Sequence, residues 1–264
     1  MEQPKRILPP AIVLLFLAPA IGELLSGSSP PTEFFTPFGF TILVLLYGGG
    51  AILCREIKVR WGKGAASLLL LGSAYAVLEE GIMVASFYNP AWPDLGVLGL
   101  YGRWLGVNWV WLVELTIYHA IISITIPVTL VELVYPNQQG KPWLGKRWFL
   151  FITFFFTFNV IGGSLLFSVI TGYKPTFSQI GFSLFLIVLF IFLSGQLPYD
   201  WFRRGKKKMR RPPFYFITTS ICTFFKRDHF LDNTQSISNI TSTNNLSFTW
   251  NNIKPTLYKI PEEL

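Results

Sequence analysis

The chain has 264 residues, of which 51% are hydrophobic and 17% aromatic, whereas only 14% are charged. Soluble domains carry about 25% charged residues and need that polar surface to cover their cores. The composition therefore excludes a soluble enzyme domain, a disordered protein and a disulfide scaffold, and it predicts an all-α, polytopic membrane protein in contact with a lipid bilayer.

Six apolar segments are long enough to cross a hydrocarbon core of about 30 Å, which takes roughly 20 residues of helix. We expect them to form a transmembrane bundle within residues 1–205, with about six spans. The second segment is the shortest and contains the triple glycine 48–50, which permits a helix break or a very close helix approach. The predicted spans are Ile7 to Leu25, Phe38 to Leu53, Gly64 to Phe87, Val107 to Val134, Trp148 to Ile170, and Ser178 to Leu197.

Connections that are rich in lysine and arginine alternate along the chain with connections that contain almost none. The N-terminal segment, the second and fourth connections and the segment after span six as far as Arg211 carry 16 of them, and the other connections carry 2. Positive residues favour the cytoplasmic side, so both termini are predicted to be cytoplasmic. The same distribution argues against nucleic-acid binding, because the cations do not form a patch with base-stacking aromatic residues.

The two ends of the chain allow other interpretations. Residues 1–20 are similar to a cleaved signal peptide, with a Lys-Arg pair, an apolar stretch and the small-residue motif at 18–20. The apolar stretch continues past that motif, which favours an uncleaved span. Residues 206–264 are predicted to be a basic segment and a polar, disordered cytoplasmic tail. The abrupt change of composition after about Arg211 raises a second hypothesis, a frameshift or truncation in the gene.

Ionisable residues inside the spans concentrate in the half of the membrane that is predicted to face outward. Such residues are costly in hydrocarbon and usually mark a function or a buried partner. Glu79, Glu80 and Glu114 lie in the outer thirds of their spans, His119 lies near mid-membrane, and Glu23 lies near the outer surface. The sequence therefore predicts a polar site in the outer half of the membrane.

Helical geometry ranks these residues. Glu80 continues a row of small residues at intervals of four, which predicts that it faces another helix. His119 lies on a polar stripe with Ser123. Glu114 points about 140° away from His119 on an ideal helix, so the two share a pocket only if the helix is distorted between them. We therefore rank Glu80 and His119 first.

The third connection, at 86–106, is rich in aromatic residues and glycine, which is typical of an interfacial or re-entrant segment. Its charged residues are Asp94 and Arg103. Two interpretations of Arg103 stay open. It is the counter-ion of Glu79 or Glu80 and part of the polar site, or it pairs with Asp94 at the surface.

Glu79, Glu80 and His119 are residue types that bind zinc, and Glu114 is a candidate for a further ligand or a general base. Cys54 and Cys222 show no metal-binding or disulfide spacing. Catalytic zinc sites have three protein ligands and an open position for water. Zinc is therefore the cofactor that these residues would bind.

Parts of this pattern resemble the CAAX-processing and bacteriocin-processing family of intramembrane metalloproteases. The adjacent glutamates and Leu115-x-x-x-His119 match its first two elements, whereas Phe155-x-x-x-Asn159 keeps only the asparagine of the third. Val84 replaces an arginine, and the second histidine is missing. The resemblance implies a degenerate metalloprotease that binds its metal weakly or not at all.

The sequence also resembles an uncharacterised group of prokaryotic membrane proteins over most of its length up to about Gln196. This resemblance implies a multi-pass membrane bundle and no particular activity. It lies in the segments 21–27, 47–50, 79–81, 101–103, 106–109 and 118–120.

Two further functions remain open. Carboxylates and a histidine at membrane depth can relay protons or hold cations in a transporter, although no internal repeat supports this. Alternatively the acids are hydrogen-bonded or protonated and only help the helices to associate. Whether the chain is an enzyme stays open at this point.

Overall fold

The computed structural model describes residues 8–203, and this part of the chain is a bundle of helices with one short β-hairpin. The predicted all-α membrane bundle is confirmed, because five helices are long and apolar enough to cross a membrane. These are α3 (Pro37–Arg60), α4 (Ala65–Met83), α5 (Trp109–Val134), α6 (Lys146–Thr171) and α7 (Phe177–Gln196), preceded by the shorter apolar helix α1 (Pro10–Leu24) and by α2 (Pro31–Phe34).

The first and second spans differ from their predicted bounds. Helix α1 begins only at Pro10, which occupies a position in the first turn where a missing N–H does no harm. It is therefore shorter than a full span. Helix α3 continues past the predicted end at Leu53 to Arg60, because its charged final turns are paired with residues far away in the sequence.

Those charged turns belong to a buried group that we call the ionic cluster. Nε of Arg55 lies 3.2 Å from Glu132, and its Nη1 lies 2.9 Å from Glu56. The guanidinium also stacks 3.6 Å from the ring of Trp143. The cluster thus ties α3 to α5 and to the connection that follows α5. It consists of Arg55, Glu56, Lys58, Arg60 and Glu132.

Helix α4 lies at the centre of the bundle and packs against α3, α5 and α7. In the most apolar 18-residue stretch of α4, 72% is buried inside the bundle. The corresponding share is 11% for α6 and 11% for α7, so the apolar sides of these two helices are free to face lipid. Gly72 makes the contact between α4 and α5 possible, because a Cβ there would lie 2.8 Å from the Cα of Ala120.

The connections between the helices fall into two groups, one at each end of the bundle. The basic face carries the connections 61–64 and 135–145, and Arg55 reaches the latter by donating from Nη1 to the Lys141 carbonyl over 2.7 Å. The hairpin face carries the connections 25–36, 84–108 and 172–176. That the basic face is cytoplasmic stays a prediction. Lys5 and Arg6, and the tail predicted from residue 206, lie outside the described residues.

The long connection on the hairpin face is folded against the bundle. Strands β1 (Arg103–Trp104) and β2 (Val107–Asn108) pair antiparallel, and the turn between them holds Leu105 and Gly106 at positive φ. Phe87 is fully buried, whereas Trp104 and Leu105 are exposed. The connection thus has one side packed on protein and one aromatic, apolar side, as an interfacial segment requires.

Four π-helical segments interrupt the long helices. A π-helical turn holds one more residue than an α-helical turn, so it changes the direction of the side chains around it, and such turns are frequent at functional sites. The segments are Ala20–Leu24 in α1, Val44–Gly48 in α3, Val77–Met83 in α4 and His119–Thr125 in α5.

Candidate functional site

Each of the four π-helical segments contributes a side chain to one polar cluster inside the bundle. Glu23 comes from α1, Tyr47 from α3, Glu79 and Glu80 from α4, and His119 from α5. The departures from regular α-helix in this part of the bundle therefore coincide with its polar interior. Hydrophobic packing alone gives no reason for that coincidence.

Glu79, Glu80 and His119 form the centre of the cluster, and we call them the trio. Nε2 of His119 lies 3.0 Å from Oε1 of Glu80, and its Nδ1 lies 3.4 Å from Oε2 of Glu79. All three residues are buried. One possible ligand atom from each residue lies within 4.8 Å of the others, which is close enough for the three to hold one metal ion.

Two serines orient the trio. Oγ of Ser123 lies 3.0 Å from Nδ1 of His119, and Ser86 donates a hydrogen bond to Oε2 of Glu80. The indole Nε1 of Trp111 donates in turn to Oγ of Ser86 over 3.1 Å. A proton on Nδ1, shared with Ser123, would leave Nε2 as an acceptor facing Glu80.

The cluster also contains buried polar atoms without a hydrogen-bond partner. Oε2 of Glu79 and the hydroxyl of Tyr75 are two of the four such atoms found in residues 8–203, and the other two are Nη2 of Arg103 and Oγ1 of Thr116. The Tyr75 hydroxyl lies beside the Glu79 carboxylate without reaching hydrogen-bond geometry. Buried polar groups are nearly always paired, so two adjacent unpaired groups indicate a place for a further ligand.

A second arm of the cluster runs toward the hairpin face. Tyr47 donates its hydroxyl proton to Oε1 of Glu23, and Ser29 donates to Oε2 of Glu23 over 2.5 Å. The Glu23 carboxylate is close enough to interact electrostatically with His119 and Glu80. The fold thus places a third carboxylate beside the trio.

Close helix contact at Gly22 keeps this arm in place. A Cβ at Gly22 would lie 2.8 Å from the ring of Tyr47 and 3.2 Å from Oγ of Ser123, so only glycine leaves room for both. The Tyr118 hydroxyl donates to the Gly22 carbonyl over 2.9 Å, which attaches α5 to the same turn of α1.

The structure brings together three of the five predicted site residues, the two adjacent glutamates and His119. Glu114 lies in the regular α-helical part of α5 and is exposed, and none of the polar contacts found in residues 8–203 joins it to the trio. Its role as a ligand or general base is therefore unsupported by the geometry. The α-helix before His119 keeps the two side chains about 140° apart, as expected for five residues of regular helix.

Arg103 occupies neither of its two expected places. Its Nε donates to the Gly99 carbonyl over 3.0 Å, and its Nη1 donates to the Tyr88 carbonyl over 2.8 Å. Asp94 instead accepts from the indole of Trp92 over 3.2 Å. Partial burial lowers the pKa of Arg103, and its contacts show that it holds the long connection together rather than neutralising a glutamate.

Sequence reasoning missed Tyr47, Tyr75 and Ser86 as members of the cluster and left Glu23 out of the ranked site. Tyr47 directly precedes the triple glycine 48–50, which is the one local signal of a close helix approach there. Glu23 and Tyr47 are 24 residues apart in the sequence, and no periodicity connects them.

The comparisons with known proteins give the family. The chain belongs to an uncharacterised membrane protein family, whose model matches residues 12–223. This confirms the resemblance to an uncharacterised group of membrane proteins, whereas the resemblance to the CAAX-processing proteases stays a prediction. No curated protein and no solved structure matches the chain.

Proposed function

We propose that this chain is a membrane-embedded metalloenzyme, in which the trio binds a zinc-class divalent cation and the site hydrolyses an ester or amide group at membrane depth. The observation that carries this proposal is the convergence of two carboxylates and an imidazole within 4.8 Å in the buried interior of a membrane bundle. Imidazole and carboxylate ligands together suit zinc and neighbouring divalent metals.

The neighbours of the trio support this role, because metal-binding sites orient their ligands with hydrogen bonds. Ser123 is placed to accept the Nδ1 proton of His119, which frees Nε2 to bind a metal ion. Ser86 donates a hydrogen bond to Oε2 of Glu80, and the other carboxylate oxygen, Oε1, lies 3.0 Å from Nε2 of His119. Both side chains thus present one ligand atom each to the same point.

Three protein ligands leave a coordination position for water, and a bound zinc ion would lower the pKa of that water and make it a nucleophile. The chain supplies the remaining chemistry at two atoms. Oε2 of Glu79 has no hydrogen-bond partner and can accept the proton that the attacking water loses. The hydroxyl of Tyr75 beside it can donate a hydrogen bond to the oxygen on which negative charge develops.

The proposal does not depend on the third element of the protease pattern. Asn159 donates its amide proton to the Ile42 carbonyl over 3.1 Å and so packs α6 against α3. The second histidine of that pattern is absent from the spans. Metal binding by the trio therefore stands on two glutamates and one histidine, and the substrate is not restricted to peptides.

Elemental mass spectrometry of the full chain in detergent, after incubation with zinc and removal of excess metal, tests this function. We expect about one zinc per chain, as for a three-ligand site, and loss of most of it in the variants Glu80→Gln and His119→Gln. Glu33→Gln changes an exposed carboxylate of α2 and serves as the matched control. A native chain without zinc, or a His119→Gln chain that keeps it, would disprove the proposal.

A proton-coupled transporter is the second candidate, and one observation favours it. The imidazole of His119 contacts a carboxylate at each nitrogen, at 3.0 and 3.4 Å, which is an arrangement that can pass a proton from one acid to the other. Proton flux into liposomes that contain the chain, abolished by His119→Gln and independent of zinc, would support transport over hydrolysis.

A further inference from the structure

We propose that the basic face binds an anionic phospholipid, whose phosphate is held by Lys141, Lys146 and Arg147 and whose acyl chain lies along the exposed side of α6. The site is separate from the trio and does not depend on the proposed function. Its ligand is amphipathic because the surface is amphipathic, with cations at the start of a helix and an uncovered apolar stripe directly below them.

Three cations at the start of α6 have no acid to neutralise them. Lys141, Lys146 and Arg147 are exposed, and none of the carboxylates in residues 8–203 forms an ion pair with them. The two carboxylates closest to this connection, Glu56 and Glu132, are already paired within the ionic cluster. Lysine and arginine are the side chains that bind phosphate groups, so the three cations are available to an external phosphate.

The connection 135–145 holds these cations on a fixed backbone. Oε1 of Glu56 accepts a hydrogen bond from the backbone N–H of Trp143 over 2.7 Å. Nη2 of Arg60 donates to the Leu144 carbonyl over 2.7 Å. The ionic cluster therefore fixes the chain immediately before α6, and a ligand that binds there does not have to order it, which lowers the entropic cost of binding.

An exposed apolar stripe continues from Arg147 along α6. Its members follow Arg147 by 4, 7, 11 and 14 positions, so on an ideal helix they all lie within about 40° of it. The last of them is about 21 Å further along the helix axis, which exceeds the depth of about 15 Å of one leaflet's hydrocarbon. The stripe is therefore long enough for one acyl chain, and it consists of Phe151, Phe154, Phe158 and Ile161, which are 51%, 64%, 66% and 58% exposed.

The charges favour a lipid over a second copy of the chain as the partner of this stripe. Two copies in one membrane share an orientation, so symmetric contact along α6 would place Lys146 and Arg147 beside the same residues of the other copy. Like charges in contact oppose association. An anionic phospholipid instead brings opposite charge to the cations and an apolar chain to the stripe.

Native mass spectrometry of the full chain in detergent tests the cations, by titration with phosphatidylglycerol and with phosphatidylcholine of the same acyl chains. We expect the native chain to bind phosphatidylglycerol at least about 10-fold more tightly, because each cation near an anionic surface contributes about fivefold. The double variant Lys146→Gln/Arg147→Gln should lose about 25-fold in affinity for this lipid, for the same reason. Lys174→Gln, which removes an exposed lysine of the hairpin face, is the control and should bind as the native chain does.

Two results of this titration would overturn the proposal. One is equal affinity of the native chain for the two lipids, which would show that the cations do not recognise the phosphatidylglycerol headgroup. The other is native affinity for phosphatidylglycerol in the double variant, which would place the lipid elsewhere on the chain.

The apolar half of the site is tested with Phe154→Ala. We expect it to weaken phosphatidylglycerol binding at least about threefold, because apolar contact with the acyl chain is lost. Phe185→Ala removes a phenyl ring that is 61% exposed on α7 and should leave binding unchanged. Glycerol phosphate, which has the headgroup charge without acyl chains, should not displace the lipid at equal concentration. Displacement would mean that the cations take free phosphate and that the stripe plays no part.

A phosphatidylglycerol with a photoreactive acyl chain needs no variant, so it decides the question if the double variant fails to fold. Labels on the native chain should fall between residues 147 and 161. Labels spread evenly over α6 and α7 would contradict a defined site. A dimer that forms without anionic lipid and is lost in Phe154→Ala would show that a second copy covers the stripe, and would likewise refute the proposal.

Discussion

The bundle contains two buried polar clusters, and they differ in how completely their groups are paired. In the ionic cluster the fully buried Arg55 donates to two carboxylates and to the Gln138 and Lys141 carbonyls. In the trio, Oε2 of Glu79 has no hydrogen-bond partner and only an ion-pair contact of 3.4 Å with Nδ1 of His119, and the neighbouring Tyr75 hydroxyl has no hydrogen-bond partner either. A saturated cluster has no capacity left for a ligand, whereas an incompletely paired one does.

The two clusters also differ in the backbone beneath them. Arg55, Glu56 and Lys58 lie on a regular α-helical part of α3, and Glu132 on a regular part of α5. The trio lies entirely on π-helical turns. The comparison therefore favours a structural role for the ionic cluster at the basic face and is consistent with the binding role proposed for the trio.

The largest expected effect is on the ionic cluster. Arg55→Met keeps much of the side-chain volume but leaves Glu56 buried without its closest cation, so we expect unfolding in detergent to be easier by about 3–5 kcal/mol. Arg60→Met removes the more exposed partner of Glu56 and should change stability by less than about 1 kcal/mol. Zinc binding by correctly folded Arg55→Met should be unaltered, and equal stability of Arg55→Met and the native chain would contradict the structural role.

The next largest effect is a loss of stability when the helices around the trio are forced apart. We attribute the position of the trio to close helix contact instead of charge. A Cβ at Gly48 would overlap the Leu15 carbonyl of α1, so Gly48→Ala should destabilise the chain by about 1–3 kcal/mol and disturb the Glu23–Tyr47 contact. Gly162→Ala is the control, because nothing lies near its Cβ position. Thermal unfolding of both variants measures the difference, and similar melting temperatures would show that α1 can move away without loss.

A smaller effect separates orientation of a ligand from overall stability. Ser123→Ala removes the partner of Nδ1 of His119, and loss of such a partner lowers metal affinity by about 10- to 100-fold. Ser73→Ala, on α4, removes only a hydrogen bond to the Leu69 carbonyl of its own helix and should leave affinity unchanged. Zinc titration against a competing chelator gives both values, and equal affinities would show that Ser123 does not orient the imidazole.

The membrane bundle was predictable because it follows from the lengths of apolar runs, which the sequence displays directly. The end of α3 at Arg60 was not predictable, because the pairing of Arg55 and Lys58 with Glu132 joins positions more than 70 residues apart. Without that pairing, charged residues near a span end are expected to leave the membrane.

The trio was predictable in part, because membrane depth brings Glu79, Glu80 and His119 to similar levels. The π-helical turns were not predictable from periodicity, since they depend on how four helices pack around one another. For the same reason the contact of Tyr47 with Glu23 is visible only in the fold.

The smallest expected effect is at Glu114, the predicted ligand that lies outside the cluster. It precedes the π-helical turn that begins at His119, so that distortion cannot rotate it toward the trio. Glu114→Gln should therefore keep native zinc content and change stability by no more than about 0.5 kcal/mol, as exposed substitutions usually do. Glu79→Gln, with the same chemical change one helix away, should lose the metal. Loss of zinc in Glu114→Gln as well would require a fourth ligand, and so a third carboxylate, at the metal, and the contrast between a saturated cluster and a three-ligand site would then be wrong.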